Sequence, residues 1–267
     1  MIFQILVISS LIVFTIQLLY KQYKQINDLQ NTVNVYLDEL ERSKDKGIKP
    51  LDGIFEIHIT VDPFTLGKNN FVSLLSFVKL HEKDKGMKVV FAVSDKGNNQ
   101  YMLSYFTRKT NEKDAIDSAN HISDSLKEFG IKVIRVKVES HNTKGTPMTR
   151  GEYKRFSEYL FETYKASTPY FEFHVKISGH NIDLNYIQLE KDIIQFKYTA
   201  ISHNLCSKNR KPLLTIRVYN EGFIGAQKYK DCVLDKMKEM GYVFEDIIQQ
   251  EFSVWDTNTD LDHDWIE

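Results

Sequence analysis

The chain has 267 residues with 35 basic and 36 acidic side chains, a formal net charge of −1 that leaves no global electrostatic case for nucleic-acid binding. At 42% hydrophobic and 27% charged, with 5 Pro and 12 Gly, it has the composition of a folded protein, not of a disordered or collagen-like one. Two cysteines, Cys206 and Cys232, exclude a disulfide framework and a four-cysteine zinc site.

From Ile2 to Tyr20 the chain carries no charge. As a helix at about 1.5 Å per residue this stretch spans roughly 28 Å, close to a bilayer core. A cleavable signal peptide wants a basic start and a small-residue exit, whereas this segment opens Met-Ile-Phe and leaves through Leu-Leu-Tyr-Lys. Residues 1–20 are therefore predicted to be a transmembrane anchor inserted in a lipid bilayer. Lys21 and Lys24 follow with no basic residue before, so the positive-inside rule predicts a single-pass membrane protein whose C-terminal domain faces the cytosol. The absence of any Asn-x-Ser/Thr site and of an obligatory cysteine pair agrees with that side.

Residues 21–50 are predicted as a helical stalk and linker. Ile26, Leu29, Val33, Tyr36 and Leu40 recur at spacings of three and four, on one helical stripe. The stripe over 26–40 is read either as a short parallel coiled coil that makes a homodimer or as a stalk helix lying on the globular part. Ser43 to Pro50 is polar with Gly47 and Pro50, and reads as the linker.

The rest of the chain repeats itself. Phe55–Val61 (FEIHITV) returns 116 residues later as Phe171–Ile177 (FEFHVKI). A helical stretch from Phe71 to Leu80 matches Leu184 to Ile193, and strand-like Lys88–Val93 matches Phe196–Ile201. Tyr101–Arg108 matches Leu213–Asn220, and the helix Asp114–Phe129 matches Gln227–Met240. Both of those helices stop at a glycine, Gly130 and Gly241, as a left-handed cap requires. The β-rich segments Ile131–Ser140 and Tyr242–Trp255 follow. Each unit reads β-α-β-β-α-β, so the predicted fold is α+β: a tandem duplication of a ferredoxin-like unit behind the transmembrane helix. The predicted boundaries are 51–145 for the first unit, 146–169 for a linking helix, 170–255 for the second unit and 256–267 for an acidic tail.

Alternate side chains of a strand share a face. Phe55, Ile57, Ile59 and Val61 are predicted to point to the helices and Glu56, His58 and Thr60 away from them. In the second copy Phe171, Phe173, Val175 and Ile177 oppose Glu172, His174 and Lys176. Arg135, Lys137 and Glu139 alternate with Ile134, Val136 and Val138, and Thr215 and Arg217 with Leu214, Ile216 and Val218. If the two sheets face one another, these polar groups line a cleft suited to an anionic small molecule such as a phosphate ester. The candidate ligand-binding residues are Glu56, Thr60, Arg135, Lys137, Glu172, Lys176 and Arg217. The alternative is a pair of wet sheet surfaces, where charged residues are ordinary.

His58-Ile59-Thr60 resembles the His-x-Thr/Ser motif of the two-histidine phosphoesterases. That resemblance implies His58 and His174 as general base and acid exchanging roles around a phosphate. His174-Val175-Lys176 departs from the motif, with Lys where the hydroxyl belongs. Glu172-x-His174-x-Lys176 is also similar, more remotely, to the Glu-x-Glu-x-Lys strand of triphosphate-tunnel enzymes. A broader likeness over 54–266 is carried by Phe55–Val61, Gln100–Leu103, Arg135–Glu139, Tyr170–Ile177 and Val254–Ile266. These stretches resemble the repeated FExH strands and the Asp-Asn-Leu-Asp-Trp tail of an uncharacterised family of bacterial and large-DNA-virus proteins. That resemblance implies one integrated duplicated module with no activity attached to it.

The tail holds Asp256, Asp260, Asp262, Asp264 and Glu267 without Lys or Arg; it lacks the EF-hand spacing and is read as a solvated acidic terminus. No phosphate loop, dinucleotide fingerprint, His-Glu-x-x-His or Gly-x-Ser-x-Gly motif is present, so no cofactor and no metal are expected. Cys206 near His203 reads as a loop cysteine. The expectation is a non-enzymatic binding or scaffolding role at a membrane, in a viral setting. The first alternative is a phosphoesterase using His58 and His174. The second, nucleic-acid binding by open sheets, lacks an aromatic pair of the kind RNA-binding sheets use.

Overall fold

The computed structural model describes residues 21, 22, 24, 48, 50–62, 68–94, 99–142, 145–178, 186–205 and 211–262. The chain divides into two compact units, Met1–Gly47 and Ile48–Glu267. Of the first, only residues 21, 22 and 24 are described, and they are helical.

In the second unit the order is β1 (Gly53–Val61), α1 (Lys68–Lys85), β2 (Lys88–Ser94), β3 (Gln100–Lys109), α2 (Glu112–Glu128) and β4 (Val133–Ser140). After α3 (Arg150–Tyr164) come β5 (Tyr170–Ile177), α4 (Tyr186–Ile193), β6 (Thr199–Asn204), β7 (Leu213–Tyr219), α5 (Phe223–Glu239) and β8 (Phe244–Asp256). A single 3-10 turn, Thr259–Asp262, ends the described chain.

Local chemistry explains the boundaries. Thr149 caps α3 through its hydroxyl while Glu152 reaches back to the Thr149 amide, a reciprocal capping box. Gly130, at φ +75°, closes α2: its N–H bonds the Lys127 carbonyl at 2.9 Å, and Ile131 N–H bonds the Leu126 carbonyl at 3.0 Å. Gly241 does the same after α5. The strand predicted from Phe196 starts instead at Thr199. Phe196 N–H still bonds the Ile193 carbonyl, and the Thr199 hydroxyl donates to the Ile193 and Phe196 carbonyls, so the helix end holds this stretch in a turn.

The eight strands form one closed antiparallel barrel in the order β1-β3-β2-β6-β7-β5-β8-β4. This corrects the predicted tandem of ferredoxin-like units, which required two open sheets. Closure is made by β2 against β6, with Ala92 opposite Asn204 and Val93 opposite His203, and by β4 against β8, with Lys137 opposite Asp256. Unpaired edges are costly, and joining the sheets at both sides removes them.

The apolar rows of the strands face outward onto the helices. Phe55, Ile57, Ile59, Leu103, Val138, Phe171, Phe173 and Val175 are buried there with Ala115, Ala119 and Leu126 of α2 and Ala226, Val233 and Met237 of α5 in one continuous core. Fully burying each large apolar side chain contributes about 1.5–3 kcal/mol, so this outer layer holds the barrel shut. The inner face is left to the polar rows, and an eight-stranded barrel has room inside only for side chains or one small ligand.

The single-pass, cytosol-facing membrane placement is likewise corrected: among the described residues no helix is long and apolar enough to cross a membrane. The predicted transmembrane anchor, residues 1–20, and the stripe from Ile26 to Leu40 lie outside the described residues.

Candidate functional site

The paired strands repeat one arrangement twice. Glu56 on β1 stands opposite Glu139 on β4, and His58 opposite Ser104 on β3. Glu172 on β5 stands opposite Glu251 on β8, and His174 opposite Thr215 on β7. Barrel closure turns both sets inward, where they meet.

They join into a ring in which carboxylates alternate with imidazole or ammonium nitrogens. His58 Nε2 lies 3.0 Å from Glu139 Oε2, and Glu139 Oε1 lies 2.7 Å from Lys137 Nζ. Lys137 Nζ is 3.3 Å from Glu172 Oε1, which is 2.9 Å from His174 Nε2. His174 Nε2 is 3.3 Å from Glu251 Oε2, and Glu251 Oε1 is 3.4 Å from His141 Nε2. His141 Nε2 is 3.2 Å from Glu56 Oε2, and Glu56 Oε1, 3.7 Å from His58 Nε2, closes the circuit. Ser104 donates to Glu56, Gln249 to Glu251, and the His174 ring bonds Thr215 Oγ1 through Nδ1 at 3.0 Å.

A second cluster lies beside the ring. Arg135 donates to Asp256 from Nε at 2.9 Å and from Nη2 at 2.5 Å, and its Nη1 is 2.7 Å from Asp262. Arg217 pairs with Glu172 through Nε and with Asp262 at 2.7 Å through Nη2. Gln100 donates to Asp262, and the Tyr170 hydroxyl to Asp256 at 2.8 Å. Asp262 thus ties β3, β4 and β7 together from the 3-10 turn.

Burial and neighbours set the protonation states. Burial alone would lower the His174 pKa, but the Glu172 and Glu251 carboxylates overcome it and raise it to about 10. His141 is raised in the same way by Glu56, Glu251 and Glu139 against its own burial. Burial disfavours ionised Glu172, yet Arg217, Lys137 and His174 hold its carboxyl well below the usual range. Glu139 goes the other way: burial and the nearby Glu251 push its carboxyl up despite Lys137 and His58.

Beside these groups is a cavity of about 210 Å³ lined by residues of both halves. Of the residues predicted to carry function, Glu56, His58, Thr60, Arg135, Lys137, Glu172, His174 and Arg217 all line it. Lys176 does not: its side chain is 58% exposed and lies 3.9 Å from Glu245. The wet-surface reading fails for most of these groups, since Glu56, Thr60, Arg135, Lys137, Glu172 and Arg217 are buried.

Sequence reasoning placed Glu139 in the polar row of β4 without naming it as a candidate, and left out His141, Gln249, Glu251, Asp256 and Asp262. Glu139 and Glu251 each face the glutamate of a repeated FExH strand across a strand pair. Asp256 and Asp262 carried no such signal. Both were read as a solvated tail and both are buried, Asp262 to 2% exposure. An irregularity in the β4–β8 pairing sets Ser253 opposite Glu139 but Trp255 opposite Val138, and this extra residue turns Asp256 inward.

Asp256 carries a pH prediction. Burial would raise its carboxyl, but Arg135, Lys137 and Arg217 hold it below the ordinary value; the Tyr170 hydroxyl and the Asn258 N–H also donate to it. Asp262 is depressed by Arg217 and Arg135 in the same way. A carboxyl with a depressed folded-state pKa contributes stability that is full above its unfolded value, about 4, and is lost as the pH falls through the folded value. Urea midpoints should therefore drop steeply below roughly pH 4, and Asp262→Asn should be weaker at pH 7 with a shallower acid fall. Parallel curves for the two proteins between pH 5 and pH 2 would refute the assignment.

No family model matches the chain, and no curated protein does. Among solved structures, a mutant chlorite dismutase from Candidatus Nitrospira defluvii is similar at 12% identity, covering 80% of this chain and 94% of that one with a TM-score of 0.25. The chlorite dismutase of that organism in complex with imidazole gives 12% identity, 85% and 97% coverage and the same TM-score of 0.25. At that score the likeness carries no argument about fold or chemistry.

Proposed function

We propose that this chain is a ligand-binding protein whose site is the barrel interior, and that the site takes a small cation. The observation that carries this reading is the charge balance of the interior. Glu56, Glu139, Glu172, Glu251, Asp256 and Asp262 are buried there against the permanent cations Arg135, Lys137 and Arg217, with Lys88 3.7 Å from Glu56 at the rim. The imidazoles of His141 and His174, whose pKa values these carboxylates raise, stand among them. Protons on those rings are replaceable, and a bound cation meets the same carboxylates without them.

The anionic-ligand reading is disfavoured by the same geometry. Arg135, Lys137 and Arg217, the groups expected to hold a phosphate, are each already paired with internal carboxylates. His58 and His174 line one cavity, as a two-histidine phosphoesterase needs, but the Nε2 of each is held by a glutamate. Nucleic-acid binding by open sheets has no support, because the polar faces turn into a closed barrel and the apolar faces are covered by helices.

Thermal unfolding of the full chain with a panel of divalent cations, small organic ammonium ions, inorganic phosphate and phosphate monoesters tests this. A ligand at 100 times its dissociation constant adds about 2.7 kcal/mol, a readily visible shift. Stabilisation by cations and not by the phosphates is expected. Stabilisation by the phosphates alone overturns the reading.

A further inference from the structure

Among the described residues, two groups of three metal-ligating side chains lie in the interior, Glu56–His141–Glu251 and Glu172–His174–Glu251. In each, one donor atom per residue falls within 4.8 Å of the others. They share Glu251 but differ in what else claims their oxygens. Glu172 is held by Arg217 and Lys137, two permanent cations that a metal ion would have to displace. The facing oxygens of the first group, Glu56 Oε2 and Glu251 Oε1, meet only the imidazole Nε2 of His141 and the neutral amide of Gln249.

A second feature separates the two groups at their shared residue. Glu251 is 3% exposed and lines the cavity, and its two oxygens are divided: Oε2 faces His174 Nε2 at 3.3 Å, while Oε1 is turned to His141 Nε2 and the Gln249 amide. Oε1 therefore shares its place with no permanent cation, and an ion there displaces only a proton on His141.

We infer that Glu56, His141 and Glu251 form a binding site for one divalent transition-metal ion per chain. One imidazole and two carboxylates are the donor set of Zn²⁺, Mn²⁺ and Fe²⁺ sites, and three protein donors leave coordination positions for a ligand in the cavity. His141 stands just past the end of β4 at the barrel rim, its side chain 21% exposed, which gives an ion a route in from solvent. Gln249 bonds both carboxylates and would orient them from outside the coordination shell. This inference rests on the cation reading above and narrows it to one ion type and one place.

The test is calorimetric titration of the chelator-treated full chain with Zn²⁺. One ion per chain is expected, with His141→Ala and Glu251→Gln each weakening binding by at least about 100-fold. Lys176→Ala, on an exposed pair outside the cavity, is expected to keep it. Binding that survives His141→Ala, or that is lost with Lys176→Ala, overturns the assignment. In case Glu251→Gln fails to fold, the Co²⁺-loaded wild-type chain should show paramagnetically shifted imidazole protons from one histidine, and their absence also overturns it. If Zn²⁺ does not bind while a small organic ammonium ion still stabilises the protein, this inference falls and the cation reading stands. If both fail to bind, both are wrong.

Discussion

Arg135→Met is expected to lower the unfolding temperature of the chain by on the order of 10 °C. Arg135 is 4% exposed and is the common partner of Asp256 and Asp262, with its fork on both oxygens of Asp256. Methionine fills much of the same volume; Asp262 keeps Arg217 and Gln100, but Asp256 is left with the Tyr170 hydroxyl and the Asn258 N–H and without its paired cation. Breaking one side of a buried pair costs about 3–5 kcal/mol, and a unit of this size loses about 2–4 °C per kcal/mol. Arg135→Lys, which keeps the charge but not the planar fork, should fall between the two. Lys176→Met, on an exposed pair, should change stability by no more than about 0.5 kcal/mol. Calorimetry on the three variants checks the order, and a loss below about 1 kcal/mol for Arg135→Met would show that the pairing is not what holds that end of the barrel.

Gly222→Ala is the second large effect expected, and its cause is steric. Gly222 caps α5 with φ −77°, a conformation alanine adopts freely. A Cβ there would overlap the carbonyl of Thr149 and lie 2.6 Å from the carbonyl carbon of Met148. Those atoms are backbone at the start of α3, fixed by hydrogen bonds from Phe223 N–H to Pro147 at 2.8 Å and from Ile224 N–H to Met148 at 3.1 Å. Neither helix start can yield without breaking these bonds, so the cost should reach about 3 kcal/mol, the upper end for overpacking. Gly130→Ala makes the comparison useful. Nothing stands within 4 Å of its Cβ position, and only its left-handed φ of +75° opposes alanine, at about 1–2 kcal/mol. Urea denaturation should rank Gly222→Ala as the more damaging; the reverse order would mean that α3 and α5 are not held together in this way.

The interior site connects these effects to function. The barrel keeps these carboxylates out of water because each has a close cationic, imidazole or amide partner: Glu139 has Lys137 and His58, Glu251 has His174 and Gln249, and Asp262 has Arg135 and Arg217.

Much of the local structure was legible in the sequence, for a physical reason. Period-two alternation with Phe55, Ile57 and Ile59 on one side and Glu56, His58 and Thr60 on the other needs only the pleat of a strand, and the structure buries the first row under helices and lines the cavity with the second. The glycine stops at Gly130 and Gly241 need only the left-handed region, and both glycines occupy it. The repeated FExH strand likewise located two of the ring's three histidines, His58 and His174, and both first-strand glutamates. What failed was everything that depends on closure. Whether β2 would pair with β6 and β4 with β8 is decided by sheet twist and the removal of free edges, which no window of sequence contains. The same holds for Asp256, turned inward by one extra residue in β8, and for Asp262, whose burial depends on Gln100, Arg135 and Arg217 from three distant strands. By itself the sequence determined the strands, their faces and their polar residues. Only the tertiary structure decided that those faces enclose one interior, because a charge is buried or exposed according to what the rest of the chain places around it.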